Sequence, residues 1–139
     1  LIYLDSNVFI SAALYDDEVG DNAREILRRV RTGVEDAATS ALTFDEVCWI
    51  VRKVKGRGPA LRIGKAILRM RNLEIIDVDR EILWASYGYL EKEVLDPRDS
   101  IHLACAQKSG ANIMVSEDTD FDGIDEMENI DMKGYLEIS

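Results

Sequence analysis

Short apolar runs alternate with segments of helical periodicity, and this alternation restricts the fold more than any other feature of the chain. Leu1 to Leu4, Leu73 to Val78 and Ala111 to Val115 are apolar runs too brief for helices and read as strands. Asp36 to Ser40 is a weaker strand candidate, because few of its residues are apolar. A helix is expected from Ser6 or Asn7, both good N-cap types, followed by a loop over Tyr15 to Gly20. Ala23, Ile26, Leu27 and Val30 then repeat at helical spacing, until Gly33 ends that segment. Leu42 to Val54 forms the next helical pattern, and Leu61, Ile63, Ile67, Leu68 and Met70 form another beyond the Gly56-Arg57-Gly58-Pro59 turn. Asp79 caps a helix over Arg80 to Glu93, while Asp96 and Pro97 open one that runs to about Lys108 and stops at Gly110. Glu128 to Asp131 and Gly134 to Ile138 read as extended. Helices between short apolar strands predict an α/β fold around a mainly parallel sheet, in one domain over residues 1–139.

No stretch approaches eighteen consecutive apolar residues, so no membrane span is expected. The opening LIYLDSNVFIS lacks a basic leader region and reads as a buried strand. Cys48 and Cys105 stand in no CxxC or CxxH arrangement; both read as small core side chains, and a reducing cytoplasm is the expected setting. His102 is the only histidine, which excludes RNA cleavage by a histidine pair and a multi-histidine metal site. Trp49 and Trp84 fall in helical apolar patterns, expected to pack in a core or an interface.

The net charge of −10 runs against nucleic-acid binding, but the charge is unevenly distributed. Arg24 to Arg71 holds twelve basic and five acidic residues, while the rest holds five basic and twenty-two acidic. A basic rim beside an acidic centre would produce this pattern, and so would solvated helix faces.

Five acids occupy chemically informative places. Asp5, Asp118 and Asp120 stand where strands hand over to loops or helices, and Glu46 and Asp99 are expected in the first turns of two helices. Open α/β sheets build their sites at the carboxyl ends of strands. Carboxylates clustered there repel one another unless cations hold them, and hard oxygen ligands suit one or two Mg²⁺ or Mn²⁺ ions. Such ions bind phosphate and activate water without a histidine or lysine base. Each acid also has a structural reading: Asp5 fits a turn with Ser6 or Asn7 capping, Thr43-x-x-Glu46 matches a capping box, Asp96-x-x-Asp99 its aspartate analogue, and Asp118 and Asp120 fit an exposed loop. His102 follows Asp99 by three positions, and packing or a hydrogen bond to a carboxylate suits it better than direct metal ligation.

Four pieces occur in order: Leu4-Asp5-Ser6-Asn7-Val8-Phe9, Ser40-x-x-Thr43-x-x-Glu46, Asp99-Ser100-Ile101-His102-Leu103-Ala104, and Val115-Ser116-Glu117-Asp118-Thr119-Asp120-Phe121. Together they resemble the PIN-domain family, in particular the toxin ribonucleases of VapBC-type toxin–antitoxin pairs. The resemblance implies a three-layer α/β/α sandwich with a parallel central sheet. It carries the family's acidic positions to Asp5, Glu46, Asp99 and Asp118, with Asp120 as partner or substitute for the last. Ser6 or Asn7 becomes the polar neighbour of Asp5, Ser116 supports the acidic pocket, and Glu117 replaces a residue that is often basic.

The implied reaction is Mg²⁺- or Mn²⁺-dependent hydrolysis of RNA to 5′-phosphate and 3′-hydroxyl ends. A homodimer and a cognate antitoxin are the implied protein partners. In such an enzyme Arg52, Lys53, Lys55 and Arg57 are the first candidates for phosphate contacts, followed by Arg24, Arg28, Arg62 and Lys65. The rival readings are a stand-alone RNA-processing or structure-specific nuclease and a non-catalytic protein-binding module. A phosphotransfer receiver fits poorly, because the order of acids lacks its central phosphoacceptor and following lysine.

Overall fold

The computed structural model describes residues 1–92 and 94–139. Five parallel strands, β1 (Ile2–Leu4), β2 (Ala37–Ser40), β3 (Leu73–Ile76), β4 (Ile113–Val115) and β5 (Glu128–Ile130), form one sheet in the order β3-β2-β1-β4-β5. Parallel neighbours need crossover connections; a loop with one 3₁₀ turn joins β4 to β5, and α-helices lie in the others, with one more helix after β5. The helices are α1 (Ser6–Leu14), α2 (Glu18–Arg31), α3 (Ala41–Lys55), α4 (Arg57–Arg69), α5 (Arg80–Glu91), α6 (Pro97–Ser109) and the C-terminal α7 (Met132–Ile138).

The sheet is covered on both faces, which makes the protein an α/β/α sandwich. Successive strand side chains point to opposite faces, and β1 divides accordingly. Ile2 and Leu4 join the core formed with Val8, Ile26, Val47, Ile67 and Met132. Tyr3 joins the opposite core, with Ile82, Leu103, Cys105, Met114 and Phe121. Burial on both faces explains why β1 and β4 read as unbroken apolar runs. It also explains β2, whose Ala-Ala-Thr-Ser sequence is weakly apolar yet wholly buried. Small residues let α6 approach the sheet there, and the Thr39 hydroxyl donates to the Leu4 carbonyl at 2.7 Å.

The topology fixes one crevice. From β1 the chain moves outward through β2 to β3, then returns to the other side of β1 to build β4 and β5. The connections therefore diverge between β1 and β4, the switch point at which open α/β sheets form their sites.

Several local expectations are corrected. Asp5, rather than Ser6 or Asn7, caps α1, and its carboxylate accepts from the Ser6 N–H at 2.7 Å. The Tyr15–Gly20 loop is shorter than expected, because Asp17 accepts from the Gly20 N–H and starts α2 at Glu18. Gly134 to Ile138 is helical: Asp131 caps α7 through the Gly134 N–H, and Met132 and Tyr135 are buried at a spacing of three. Trp49 and Trp84 leave the core, with 62% and 68% of their surfaces exposed. Cys105 is buried, whereas Cys48 is half-buried between α3 and α4. The α5 end expected at Glu93 lies outside the described residues. Among the described residues, no helix is long and apolar enough to cross a membrane.

Candidate active site

Asp5 enters the crevice from the end of β1, held in place by Ser6, Asn7 and Ser116. One carboxylate oxygen takes the Ser6 N–H, and the other accepts from Asn7 Nδ2 at 3.1 Å and Ser116 Oγ at 2.7 Å. The Asp5 N–H donates to the Val115 carbonyl, so the ends of β1 and β4 are stitched together at this point. Ser116 is buried, and its hydroxyl also accepts from the Asp118 N–H at 3.0 Å. The expected supporting positions Ser6, Asn7 and Ser116 are thus all in contact with Asp5.

Asp118 leaves β4 through a single 3₁₀ turn, Thr119–Phe121, which it caps by accepting from the Asp120 N–H at 2.9 Å. Phe121 anchors that turn in the core. Asp99 arrives from the opposite layer, in the first turn of α6. Asp96 stands at the cap of α6 without a side-chain bond to it, so the expected Asp96-x-x-Asp99 capping pair does not form. Asp99, Asp118 and Asp120 each offer a carboxylate oxygen, all within 4.8 Å of one another.

Glu46 lies in the second turn of α3 and not the first as expected, because the helix starts at Ala41. The capping box expected of Thr43 and Glu46 is absent, because Ser40 caps α3 through the Leu42 N–H. Thr43 instead turns inward to Thr39 at 2.7 Å. Glu46 Oε1 meets His102 Nε2 at 2.6 Å, and Asp5 Oδ1 lies 3.5 Å from the same nitrogen. Asp5 and Glu46 therefore share one imidazole, and His102 contacts carboxylates as the sequence suggested. Tyr3, which sequence reading passed over as a strand residue, binds the other ring nitrogen at 2.8 Å.

The electrostatics follow from this crowding. Burial, the charges of Asp118 and Asp5, and then Asp120 push the Asp99 carboxyl up to about 7, with His102 opposing them. For His102, burial pulls the proton affinity down, but the Glu46 hydrogen bond and the charges of Asp5, Glu46 and Asp99 leave it raised overall. A group of acids that holds a proton near neutrality for want of positive charge matches the donor set of a hard divalent cation.

The basic candidates separate into two groups. Arg24 pairs with Asp21 and donates to the Ala12 and Tyr15 carbonyls, and Arg28 grips Glu25 with two nitrogens. Arg28 is thus committed to its own helix, and Arg24 to its own helix, α1 and the loop between them. Arg52, Lys53, Lys55, Arg57, Arg62 and Lys65 are exposed on α3 and α4 and form no ion pair among the described residues. Arg52 lies six residues beyond Glu46, about 9 Å along the helix at 1.5 Å per residue. Sequence reading also missed a groove of about 680 Å³ between these helices, with Phe44, Cys48, Trp49, Leu61, Gly64 and Leu68 among its lining residues.

Residues 2–127 match the family model described as the PIN domain. The chain belongs to the PIN-domain family. No curated protein sequence matches it. Among solved structures, VapC20 of Mycobacterium tuberculosis, described as a Sarcin-Ricin loop cleaving toxin, is similar with a TM-score of 0.73 at 16% identity, over 91% of this chain and 98% of that one. VapBC2 of Rickettsia felis, solved with a DNA fragment from its promoter, gives a TM-score of 0.71 at 21% identity over 94% and 98%. A toxin–antitoxin complex from Klebsiella pneumoniae gives 0.68 at 23% identity over 91% and 95%. At these identities the likeness is one of fold. The PIN fold of this chain thus carries a cluster of three carboxylates, Asp99, Asp118 and Asp120, that could coordinate a divalent metal ion.

Proposed function

We propose that this PIN domain, spanning residues 1–139, is a Mg²⁺- or Mn²⁺-dependent endoribonuclease and the toxin of a VapBC-type pair. The observation that carries the reading is the convergence of Asp99, Asp118 and Asp120 near Asp5, where burial and the neighbouring charges push the Asp99 carboxyl up to about 7. Asp99, Asp118 and Asp120 would hold a cation, with Asp5 and Glu46 facing the same crevice. A bound divalent ion supplies charge stabilisation at the phosphate and lowers the pKa of a water molecule.

The chain's own groups do the rest. Ser6, Asn7 and Ser116 keep Asp5 oriented by donating to both of its oxygens. The exposed Arg52, Lys53, Lys55 and Arg57 hold flanking phosphates and set the strand's position without reading its bases. Arg62 and Lys65 extend that surface. Hydrolysis forms one P–O bond from water and breaks the P–O3′ bond, which leaves 5′-phosphate and 3′-hydroxyl ends.

Two exposed apolar surfaces support the partner part of the reading, since patches of this kind mark association sites. The α3–α4 groove, rimmed by Arg52, Arg57 and Lys65, suits an antitoxin segment with apolar and acidic side chains. Leu83, Trp84 and Tyr87 on α5 suit a second copy of the chain.

The test is cleavage of an end-labelled pool of structured RNAs in Mg²⁺, Mn²⁺ or EDTA, comparing wild type with Asp5→Asn. Metal-dependent cuts with 5′-phosphate ends, lost in the variant, are the expected result. Folded wild type that cuts no RNA with either ion would overturn the reading, as would cuts that survive the substitution.

A further inference from the structure

Tyr3 places a hydroxyl in the middle of an otherwise hydrocarbon strand. Phenylalanine would fill the same space and bury the same ring. A hydroxyl in a core is costly unless it is hydrogen-bonded, and this one is wholly buried. Its partner is His102 Nδ1 at 2.8 Å, with the two rings edge to face at 67°. The Ser40 hydroxyl also lies against the phenol. Burial first, and then the charges of Cys105 and Asp5, hold the phenol protonated well beyond its ordinary range, so it keeps its hydrogen for the imidazole.

His102 is itself 1% exposed, and its two nitrogens have different partners. Nε2 carries hydrogen toward Glu46 both in the neutral form that accepts from Tyr3 and in the imidazolium. The remaining tautomer would set a nitrogen lone pair against a carboxylate oxygen 2.6 Å away. The ring cannot turn without breaking both contacts inside a packed core. Glu46 is therefore fixed through one oxygen, and its other oxygen takes no hydrogen bond among the described residues.

We infer that Tyr3 and His102 are positioning residues, a buried relay that runs from the central strand to Glu46 and holds this carboxylate at the acidic crevice for a divalent cation. The inference rests on the nuclease reading of the site. Groups that orient ligands from behind typically contribute about 10–100-fold in metal affinity or activity. His102→Leu, which removes the donor, should therefore weaken Mn²⁺ binding about tenfold or more and lower kcat, with KM for RNA little changed. His102→Gln keeps an amide N–H near the Nε2 position and should recover most of the loss. Tyr3→Phe should fall between them, because the ring remains but loses its anchor.

Mn²⁺ calorimetry and single-turnover cleavage on the full chain read these effects, with thermal melts to establish that each variant folds. A spectroscopic readout needs no activity: His102 is the only histidine, so ¹⁵N-histidine labelling yields one pair of ring nitrogens. Wild type should show a protonated Nε2, and Tyr3→Phe a shifted Nδ1 signal. An unprotonated Nε2 in wild type overturns the relay. So does a folded His102→Leu with unchanged Mn²⁺ affinity, or a His102→Gln as impaired as His102→Leu. If wild type binds no Mn²⁺, the nuclease reading falls and takes this inference with it, whereas wild-type binding with indifferent variants sinks the relay alone.

Discussion

Asp99→Asn should stabilise the metal-free protein while it destroys the site. In the folded chain the Asp99 carboxyl is pushed from 3.8 to about 7, first by burial and then by Asp118 and Asp5. A shift of roughly three pKa units corresponds to about 4 kcal/mol at most. Asp99 is only partly buried, so solvent screening reduces this to about 1–2 kcal/mol. Its place in the first turn of α6 returns about 0.3–1 kcal/mol through the helix dipole. A net gain of about 1 kcal/mol remains for the neutral amide, worth roughly 3–5 °C in Tm for a chain of this size.

The sign of the pH dependence is fixed. The folded protein holds this proton to higher pH than the unfolded chain does, so ionisation opposes folding. The penalty is absent below about pH 4, grows as pH rises, and is complete above about pH 7. Thermal melts in EDTA should show Asp99→Asn more stable than wild type at pH 8, with the difference vanishing at pH 4. Saturating Mg²⁺ should reverse the order, because an ion at 100 times its Kd adds about 2.7 kcal/mol to the wild type and little to the variant. A variant less stable than wild type at pH 8 in EDTA would refute the crowding argument. A gain that ignored pH would refute it equally.

Two further measurements test other parts of the structure. Binding of single-stranded RNA in EDTA should lose about 0.7 from its logarithmic salt slope for each phosphate contact removed at Arg52, Lys53, Lys55 or Arg57. Alanine at Arg24 or Arg28 should leave the slope unchanged, because those guanidinium groups are held by Asp21 and Glu25; equal effects from both sets would refute the division. A Cβ at Gly64 would meet Cys48 Sγ at 2.9 Å and Phe44 at 3.1 Å, so Gly64→Val should spread α3 from α4 and cost about 1–3 kcal/mol in chemical denaturation. Gly88→Ala on α5 meets nothing within 4 Å and should be neutral or stabilising, so a comparable loss there would contradict the packing account.

The sequence was most readable where chemistry and local geometry coincide. Asp5 and Asp118 end strands, and Asp99 begins a helix; each place follows from neighbouring residues, and all three sit on the carboxyl edge of the sheet. The α/β fold around a mainly parallel sheet followed from the apolar runs for the same local reason, whereas the three-layer sandwich was implied by the resemblance to PIN domains. What escaped was set by distant contacts or by elements too short for a period to show. α7 has seven residues with two of them buried, so its β-branched end passed for a strand until Asp131 capped it. Thr43 and Glu46 matched a capping box, but Ser40 reached the free N–H first. The basic excess of the middle segment promised more free charge than it delivers, because α2 neutralises several of its own arginines at a spacing of three or four.

The least readable part is the way Glu46 joins the site. Its contact with His102 spans 56 positions, and the contact between His102 and Tyr3 spans 99. No local pattern marks either, and each residue alone has a dull explanation: a strand aromatic, a core histidine, a helix acid. The sheet order brings them together, because β2, which leads into α3, lies beside β1, while α6 packs across β2 from the other layer. Ionised Asp99 opposes folding in the absence of a cation, whereas the buried hydrogen bonds behind the crevice support it. The two sets are therefore separable by experiment: neutralising Asp99 should stabilise the empty protein, and cutting the Tyr3–His102 contact should weaken it, though both impair the same site.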